Sequence, residues 1–597
     1  MSEEQDKRAT RVSRRAVLAS TAIGSAGLAG CLGRLRTVRN QDIPDQLSLK
    51  VLTVPGDDDA VATQIGRMLA DNLNTIGVNV DLQLFPEDEL RRKVLVNQEY
   101  DLFISAYQNI ERPDALRPLL HSSFVGEVGW QNPFEFTDIG IDELLEAQQQ
   151  QRGSQRRRTV VDLQHEIVRK QPFIPVAVPD LIRASRTEEF TNWRWSSRDL
   201  SQSLVRVNSR EADTDTLPLV STDAQITRSL NPIAIQSRNK GQISGLFYDS
   251  LGRYIDGTVE PWAATGWDLS TTDEETTLTV TLRPELTFHD GTPLTADDVA
   301  FTVELLQDTS LGEFEVPVPA PRFRGRSSMV ESVTVLDDRT VKLAFSNVNP
   351  QTAVRILTVP IFPEHVWRSK ARPAEIAGVD ISEAVTEALV WQNPEPIGSG
   401  PFKFESSVED EELVVQRNDA HLLHRNPTAL PKQVAERFAD GIPFNRLRIQ
   451  IVRSDDAALG LLTSGSVDAT VSNLGPSVVP RIGREQSVEL HVERSPSLYI
   501  IGCNTLKEPL GNPHFRRLIA RLIDKETIRE EVFGGFARPA TSPLTGTEWV
   551  PSDLRWAGVD PELPFFGTNG SLDIEEIHSY LRDAGFEFSD NDNLLQQ

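Results

Sequence analysis

Two cysteines are all that the 597 residues contain. Cys31 closes the segment LAGC near the start, and Cys503 sits in the apolar run LYIIGCNT, so no internal disulfide is expected. Basic charge is also scarce: 61 Lys and Arg face 87 Asp and Glu, a formal net charge of −26, and Arg far outnumbers Lys. A surface of that sign disfavours nucleic acid and anionic membrane faces as partners. It suits solubility at high salt, and a halophilic source is expected. The catalytic patterns that a sequence can show are missing as well. There is no HExxH, no GxSxG, no Walker loop and no GxGxxG in a strand-to-helix setting. HLLH (421–424) places two His at i and i+3, but no carboxylate or Cys lies at ligand spacing, so a surface or packing role is expected and no metal. His289 and Asp290 in FHDG have no nucleophile beside them and read as a turn held by the Asp. No cofactor is implied, and the chain is not expected to be an enzyme. The nine Trp show no cage-like spacing, so no cation recognition by aromatics is read from them.

The first 31 residues read as a targeting segment. TRVSRRAVLASTAIGSAGLAGC has a charged start, a short apolar stretch and small residues before a cut site. Arg14 and Arg15 resemble the arginine pair of a twin-arginine export signal, and LAGC resembles a lipobox in which Cys31 carries the lipid. A plain single-pass anchor is the competing reading, and the apolar stretch is short of the roughly 20 residues that a span needs. Either way the body is expected outside the cytoplasm, on the outer face of the cell membrane, with 32–46 as a flexible tether. After Cys31 no apolar run approaches membrane-spanning length.

Residues 47–84 then give a strand, a helix and a strand. Leu47, Leu49 and Val51 alternate, 60–73 carry apolar residues at helical spacing, and Val78 to Leu84 alternate again. GDDD (56–59) caps the helix start and Gly77 closes its end. The far end of the chain, DIEEIHSYLRDAGFEF (573–588), is a helix that leads nowhere.

The strongest signal lies between them. From Leu246 the chain reads LFYDSLGRYIDGTVEPWAATGW, then the strands LTVTLR and LTFH, the turn HDGTP and a helix opened by LTADD. Thr295 is the expected N-cap, with Asp298 three residues on completing a capping box. IGSGPFKFE (397–405), VVQRND (414–419), ALGLLTSGSVDA (458–469) and the long segment 499–544 follow. Taken together and in this order, these pieces resemble the family 5 solute-binding proteins of ABC transporters, the dipeptide and oligopeptide receptors. That family implies an α/β fold: a two-lobed periplasmic-binding-protein-like clamp (class II, with an extra subdomain) and a hinge between lobes. It also implies ABC permease and ATPase subunits as partners, a small-molecule or peptide ligand, and a monomer.

In that family the segment resembling 499–544 is followed by a helix ending "L...AG", a strand-helix-strand unit and a "YD" strand leading to a "DYPDP" loop. Here LRDAG occurs at 581–585, and the continuation stands instead at the front, as 47–84, EYDLFISAY (99–107) and QNIERPDALRPLL (108–120). The order reads as a circular permutation, a rearrangement tolerated where termini meet at the surface; a duplicated extra domain is the alternative, and it would leave the C-terminal lobe incomplete. The expected division is 47–170 as part of lobe II, 171–206 returning to lobe I, 207–216 as linker, 217–493 as lobe I and 494–597 as the rest of lobe II. Crossings near 171–175 and 493–496, with Pro172, Pro175 and Pro496, would form the hinge. QQQQRGSQRRR (148–158) reads as a solvated helix–helix connection.

For the ligand, the resemblance implies an Asp in the "DYPDP" loop that holds a peptide's α-ammonium group. The matching position here is Asn109, which can accept a hydrogen bond but cannot form the charge-assisted pair. Tyr107 and Gln108 flank it, Asp114 or Glu111 are substitutes, and Asn231 in LNPI (230–233) resembles the family's "LDP" loop near the cleft. Three functions are open at this point: a lipid-anchored receptor feeding an ABC importer, a ligand-binding sensor for a signalling partner, and a secreted hydrolase without a visible catalytic set.

Overall fold

The computed structural model describes residues 45–596, apart from 96, 109, 111, 128–130, 197–199, 205–206, 211–214, 235–242, 256, 273–274, 347, 375–384, 426–429, 431 and 437–440. Its opening unit is the one the alternation predicts. Strand β1 (Ser48–Thr53) runs into helix α1 (Ala60–Thr75) and returns as β2 (Asn79–Leu84), which pairs in parallel with β1. The Asp59 side chain caps α1 by accepting from Ala62 N at 2.9 Å. Ile65, Leu69 and Leu73 are fully buried on the inward face of α1, the i, i+4, i+8 stripe of an amphipathic helix.

Next come β3 (Leu102–Gln108), the helix pair α2 (Ile139–Gln150) and α3 (Gly153–Lys170), and the 14-residue β4 (Phe173–Arg186). After β5 (Thr216–Ser221) there is a separate antiparallel sheet of β6 (Ala264–Thr271), β7 (Glu275–Leu282), β8 (Ser332–Asp337) and β9 (Thr340–Ser346), in the order β6-β7-β9-β8. Helix α4 (Ala296–Gln307) opens with the expected capping box between Thr295 and Asp298. The remaining strands are β10 (Phe402–Val408), β11 (Glu412–Arg417), β12 (Arg446–Ile451), β13 (Ala469–Thr470), β14 (Val488–Arg494), β15 (Ser497–Cys503) and β16 (Ala537–Pro539). The main sheet has 12 strands and runs β10-β11-β12-β5-β13-β4-β15-β3-β1-β2, with β14 and β16 also on β4. Among the described residues no helix is long and apolar enough to cross a membrane.

Two large cores define the lobes, and a smaller third draws on residues between Ile182 and Val488. Of the two large ones, one draws on residues between Phe190 and Val471. The other takes Leu47 to Val178 from one end of the chain and Leu498 to Leu594 from the other. The two stretches join at the tail as well: Leu47 N donates to Leu594 O at 2.7 Å and Leu594 N to Gly77 O at 2.9 Å. Gly77 sits at φ +89, and a Cβ there would lie 2.2 Å from Asp592 O, so both its conformation and its contact require glycine. Cys503 is a free, fully buried thiol in the same core.

β4 belongs to both lobes. Phe173 to Ala177 pair with β15, Ala177 to Pro179 with β16, and Asp180 to Arg186 with β14. The change of lobe on this strand therefore falls at Pro179–Asp180. Pro172 and Pro175 lie before it, and Ile174, Val176 and Val178 are packed in the core built from the chain ends. On the facing strand the break between β14 and β15 is Ser495–Pro496. Of the 207–216 stretch, Asn208–Ser209 pairs with Phe190–Thr191, and 211–214 lie outside the described residues.

Motifs distant in sequence meet in the other lobe. His289 N donates to Gly398 O at 2.7 Å, Gly398 N to His289 Nδ1 at 3.2 Å, and His289 Nε2 to Gly400 O at 3.1 Å. A Cβ on Gly398 would lie 2.0 Å from Phe247 O, so the IGSGP turn is shaped for contact with the segment before it. Burial holds the His289 imidazole down to about 4, and Asp290 Oδ1 accepts from Thr292 N at 3.0 Å to fix the turn. His421 is not a surface residue: it is fully buried, with Nε2 3.1 Å from the Asp249 carboxylate. Among the described residues no cluster of metal-ligating side chains occurs.

Replacing Gly77 by Ala should cost on the order of 1–3 kcal/mol, because a left-handed backbone would carry a Cβ against the tail. Chemical denaturation of Gly77→Ala beside a Gly→Ala change at the open Gly460 checks it. Equal stability of the two would mean that the tail does not dock on the opening unit.

Candidate functional site

The space between the lobes is lined from both sides. β3 ends at Gln108 and hands the chain to a loop and a short helical turn over Pro113–Leu116, which face Ser244–Tyr254 and Pro321–Arg326 of the other lobe. A cavity of about 220 Å³ lies there, with Tyr107, Gln108 and Arg112 on one wall and Tyr248, Arg322 and Arg355 on the other. A second, of about 700 Å³, shares Arg112 and Tyr254 with the first and adds Asp114, Arg156, Arg494 and Trp549. A third, of about 540 Å³, meets the first at Gln108 and is acidic, with Asp57, Asp58, Glu87, Asp88 and Asp223 against Arg228.

Direct contacts hold the lobes together beside these cavities. Arg324 Nη2 lies 2.7 Å from Glu127 Oε1. Asn349 Nδ2 donates to Gln149 O at 2.7 Å, and Gln131 Nε2 to Pro321 O at 3.1 Å. Asp114 is the buried member of the set. Arg156 Nη2 donates to both its oxygens at 3.0 Å, Arg355 Nη1 lies 3.1 Å from Oδ2, and Thr352 Oγ1 lies 3.2 Å from Oδ1. Burial works to raise the Asp114 carboxyl, but Arg355 and Arg156 outweigh it and hold the group below the usual carboxylate range.

Tyr107 and Gln108 thus line the cleft, Tyr107 nearly buried and Gln108 half-buried. Asn109 and Glu111 lie outside the described residues, as do Arg14, Arg15 and Cys31. Asp114 is at the cleft, but its charge is committed to two guanidinium groups. Asn231 caps a turn: its amide donates to Ala388 O and Trp391 O at 2.8 and 2.6 Å and accepts from Ile233 N and Ala234 N at 2.9 and 3.1 Å. It lines none of the three cavities described above. Of the run 148–158 only Gln151 and Arg152 connect the two helices, and it is solvated only in part: Gln148 and Gln149 are buried, and Arg156 turns inward, 5% exposed, to reach Asp114.

Sequence reasoning missed Arg112, Tyr254 and Arg355. Arg112 stands inside the very loop singled out for Asn109 and could have been weighed there. Nothing local marks Arg355. Its neighbour Thr352 meets Asp114 across 238 positions of chain, and only the fold joins them.

Residues 258–596 match the model for "Bacterial extracellular solute-binding proteins, family 5 Middle", and the chain belongs to that family. Among curated relatives, the oligopeptide-binding protein AppA of Bacillus subtilis is 23% identical over 325 residues, covering 53% of this chain and 50% of that one. Protein XP55 of Streptomyces lividans is 25% identical over 322 residues, covering 53% and 51%. The chain thus spans about half the length of the curated relatives it matches. Similar solved structures include NikZ from Campylobacter jejuni in complex with Ni(L-His), 18% identical, covering 65% of this chain and 66% of that one at a TM-score of 0.43. Another is AppA from Bacillus subtilis in complex with a nonapeptide, 16% identical, covering 64% and 67%, also at 0.43.

Asp114→Asn should destabilise the protein by about 3–5 kcal/mol at neutral pH, since it strands buried arginine charge. The sign with pH follows from the lowered carboxyl. Its contribution is complete above the unfolded-state value and is lost as pH falls through the lower folded value, below the ordinary carboxylate range. Denaturation curves between neutral and acid pH should converge for wild type and Asp114→Asn at the acid end. Parallel curves would remove the buried pair from the account.

Proposed function

We propose that this protein is an extracytoplasmic solute receptor that captures a peptide-like or other small solute between its two lobes and delivers it to an ABC import permease with its ATPase. The observation that carries the reading is the cleft itself, where each of the three cavities described above draws its walls from both lobes. A ligand so placed is enclosed by closure about the two strand crossings, at Pro179–Asp180 and Ser495–Pro496, and the closed form is what a permease would read. The protein acts by binding, not by catalysis. Export by the arginine pair Arg14–Arg15, attachment through a lipid on Cys31 and a monomeric state belong to the same reading.

We further read the chain as circularly permuted relative to its family. In support, one core is assembled from both chain ends, and Gln46 bridges to Leu595. On this reading the lobes divide at the two crossings, so that 47–179 and 496–597 make lobe II and 180–206 with 217–495 make lobe I, which moves the return to lobe I from 171 to 180, and 207–216 replaces what elsewhere would be a pair of termini.

Native mass spectrometry of residues 32–597, folded at high salt, tests the receptor reading. A stoichiometric small ligand is expected, with scattering showing compaction on rebinding; an empty protein that stays silent to peptide and solute libraries sinks it. For the permutation, a chain that starts at 216, joins 597 to 46 through a short linker and ends near 208 should fold and bind the same ligand. Failure to form the second core would refute it. Cys31→Ser should release the protein from the membrane fraction, and Arg14→Lys with Arg15→Lys should hold it inside the cell. Unchanged fractionation would refute the anchor and the signal respectively.

A further inference from the structure

We infer that the ligand presents an anionic group, a carboxylate or a phosphate, to Arg112 and Arg355; this rests on the receptor reading above. The protein as a whole carries −26, yet the first cavity is lined by five arginines, Arg112, Arg253, Arg322, Arg326 and Arg355, and by no carboxylate. The second cavity adds Arg156 and Arg494 and holds two carboxylates, Asp114 and Glu548. A patch of the minority sign at the bottom of a cleft repels itself and is held together only by what neutralises it.

The internal partners do not complete that neutralisation. Arg253 is paired with Asp249 at 3.2 Å. Asp114 is shared between Arg156 and Arg355, so the buried triad keeps one net positive charge. Arg355 is 8% exposed, and its Nε and Nη1 have no hydrogen-bond partner; the Asp114 oxygen at 3.1 Å is close but poorly aligned. Donors left so at a buried guanidinium are costly; both are closed to solvent, while Arg355 as a residue lines the cavity, so a turn of its guanidinium towards an oxyanion there would relieve them. Arg112 approaches from the other lobe. Its guanidinium lies over the Tyr254 ring at 5.0 Å and, among the described residues, donates once, to Gly257 O at 3.1 Å, which leaves donors of a planar fork suited to carboxylate or phosphate. Among the described residues no carboxylate lies within ion-pair distance of Arg112. One residue from each lobe would then grip the same anionic group, so that binding the charge also closes the cleft. The same geometry leaves Asp114 without a free charge to offer.

Calorimetry on the full chain at fixed ionic strength tests this with five probes: triglutamate, its N-acetylated form, trialanine amide, trilysine amide, and glycerol phosphate to separate phosphate from carboxylate. Triglutamate should bind with or without a free amino end, at least tenfold more tightly than trialanine amide, and trilysine amide should not bind. Arg112→Gln should weaken the acidic probe at least tenfold and flatten its salt dependence, while trialanine amide changes less than twofold. Arg355→Met should act alike; because it also touches the buried triad, Arg112→Gln, which leaves Asp114 alone, is the deciding variant. Binding of glycerol phosphate in place of triglutamate supports the inference and names phosphate as the anion. Equal binding of neutral and acidic probes, or an Arg112→Gln indifferent to both, overturns the inference and leaves the receptor reading standing. No binding by any probe, nor by peptide and solute libraries, overturns both.

Discussion

The structure depends on one strand serving two lobes. β4 is a continuous 14-residue strand whose first half is bonded to β15 and β16 and whose second half is bonded to β14. Backbone groups in a sheet must find partners along their whole length, so each half of β4 fixes its own lobe, and the lobes cannot be specified independently. The break at Ser495–Pro496 on the neighbouring strand gives the same division. Pro496 supplies no N–H to the ladder there, which lets β14 and β15 part company where the lobes do.

Charge organises the cleft around that frame. The surface excess of acid is ordinary for a chain of this composition, and the acidic cavity at Gln108 continues it. Farther in, the sign reverses over a short distance: Asp114 gathers Arg156 from its own lobe and Arg355 from the other. A buried ion cluster contributes little net stability on its own, since desolvation offsets attraction. What it does supply is dependence of each lobe on the other's position. Opening the cleft would expose Arg355 and leave Asp114 with one partner, so the cluster favours the lobes in contact, and a bound anion would add to that preference.

How much of this was legible beforehand varied with the range of the interaction. The Asp59 cap, the stripe on α1 and the Thr295–Asp298 box are local, set by residues three or four apart, and the structure has them where the spacing placed them. His421 was read as a surface or packing residue because nothing near it in sequence is a partner; Asp249, its partner, is 172 positions away. The 148–158 run looked solvated because Arg normally is, and Arg156 departs from that only because a buried carboxylate waits for it. Asn231 has the sequence of a cleft loop, but its four hydrogen bonds close on its own turn and its neighbours.

By itself the sequence determined the family, the kinds of element and their caps, and the charge of the surface, because each of these is written in composition, order or a period of two or 3.6 residues. Which residues face one another across the cleft was decided by tertiary structure alone. Arg112 and Arg355 come to line one cavity only when a single strand carries two lobes, one of them closed by segments from opposite ends. No local pattern encodes a contact of that range; it is set by the packing of the two cores.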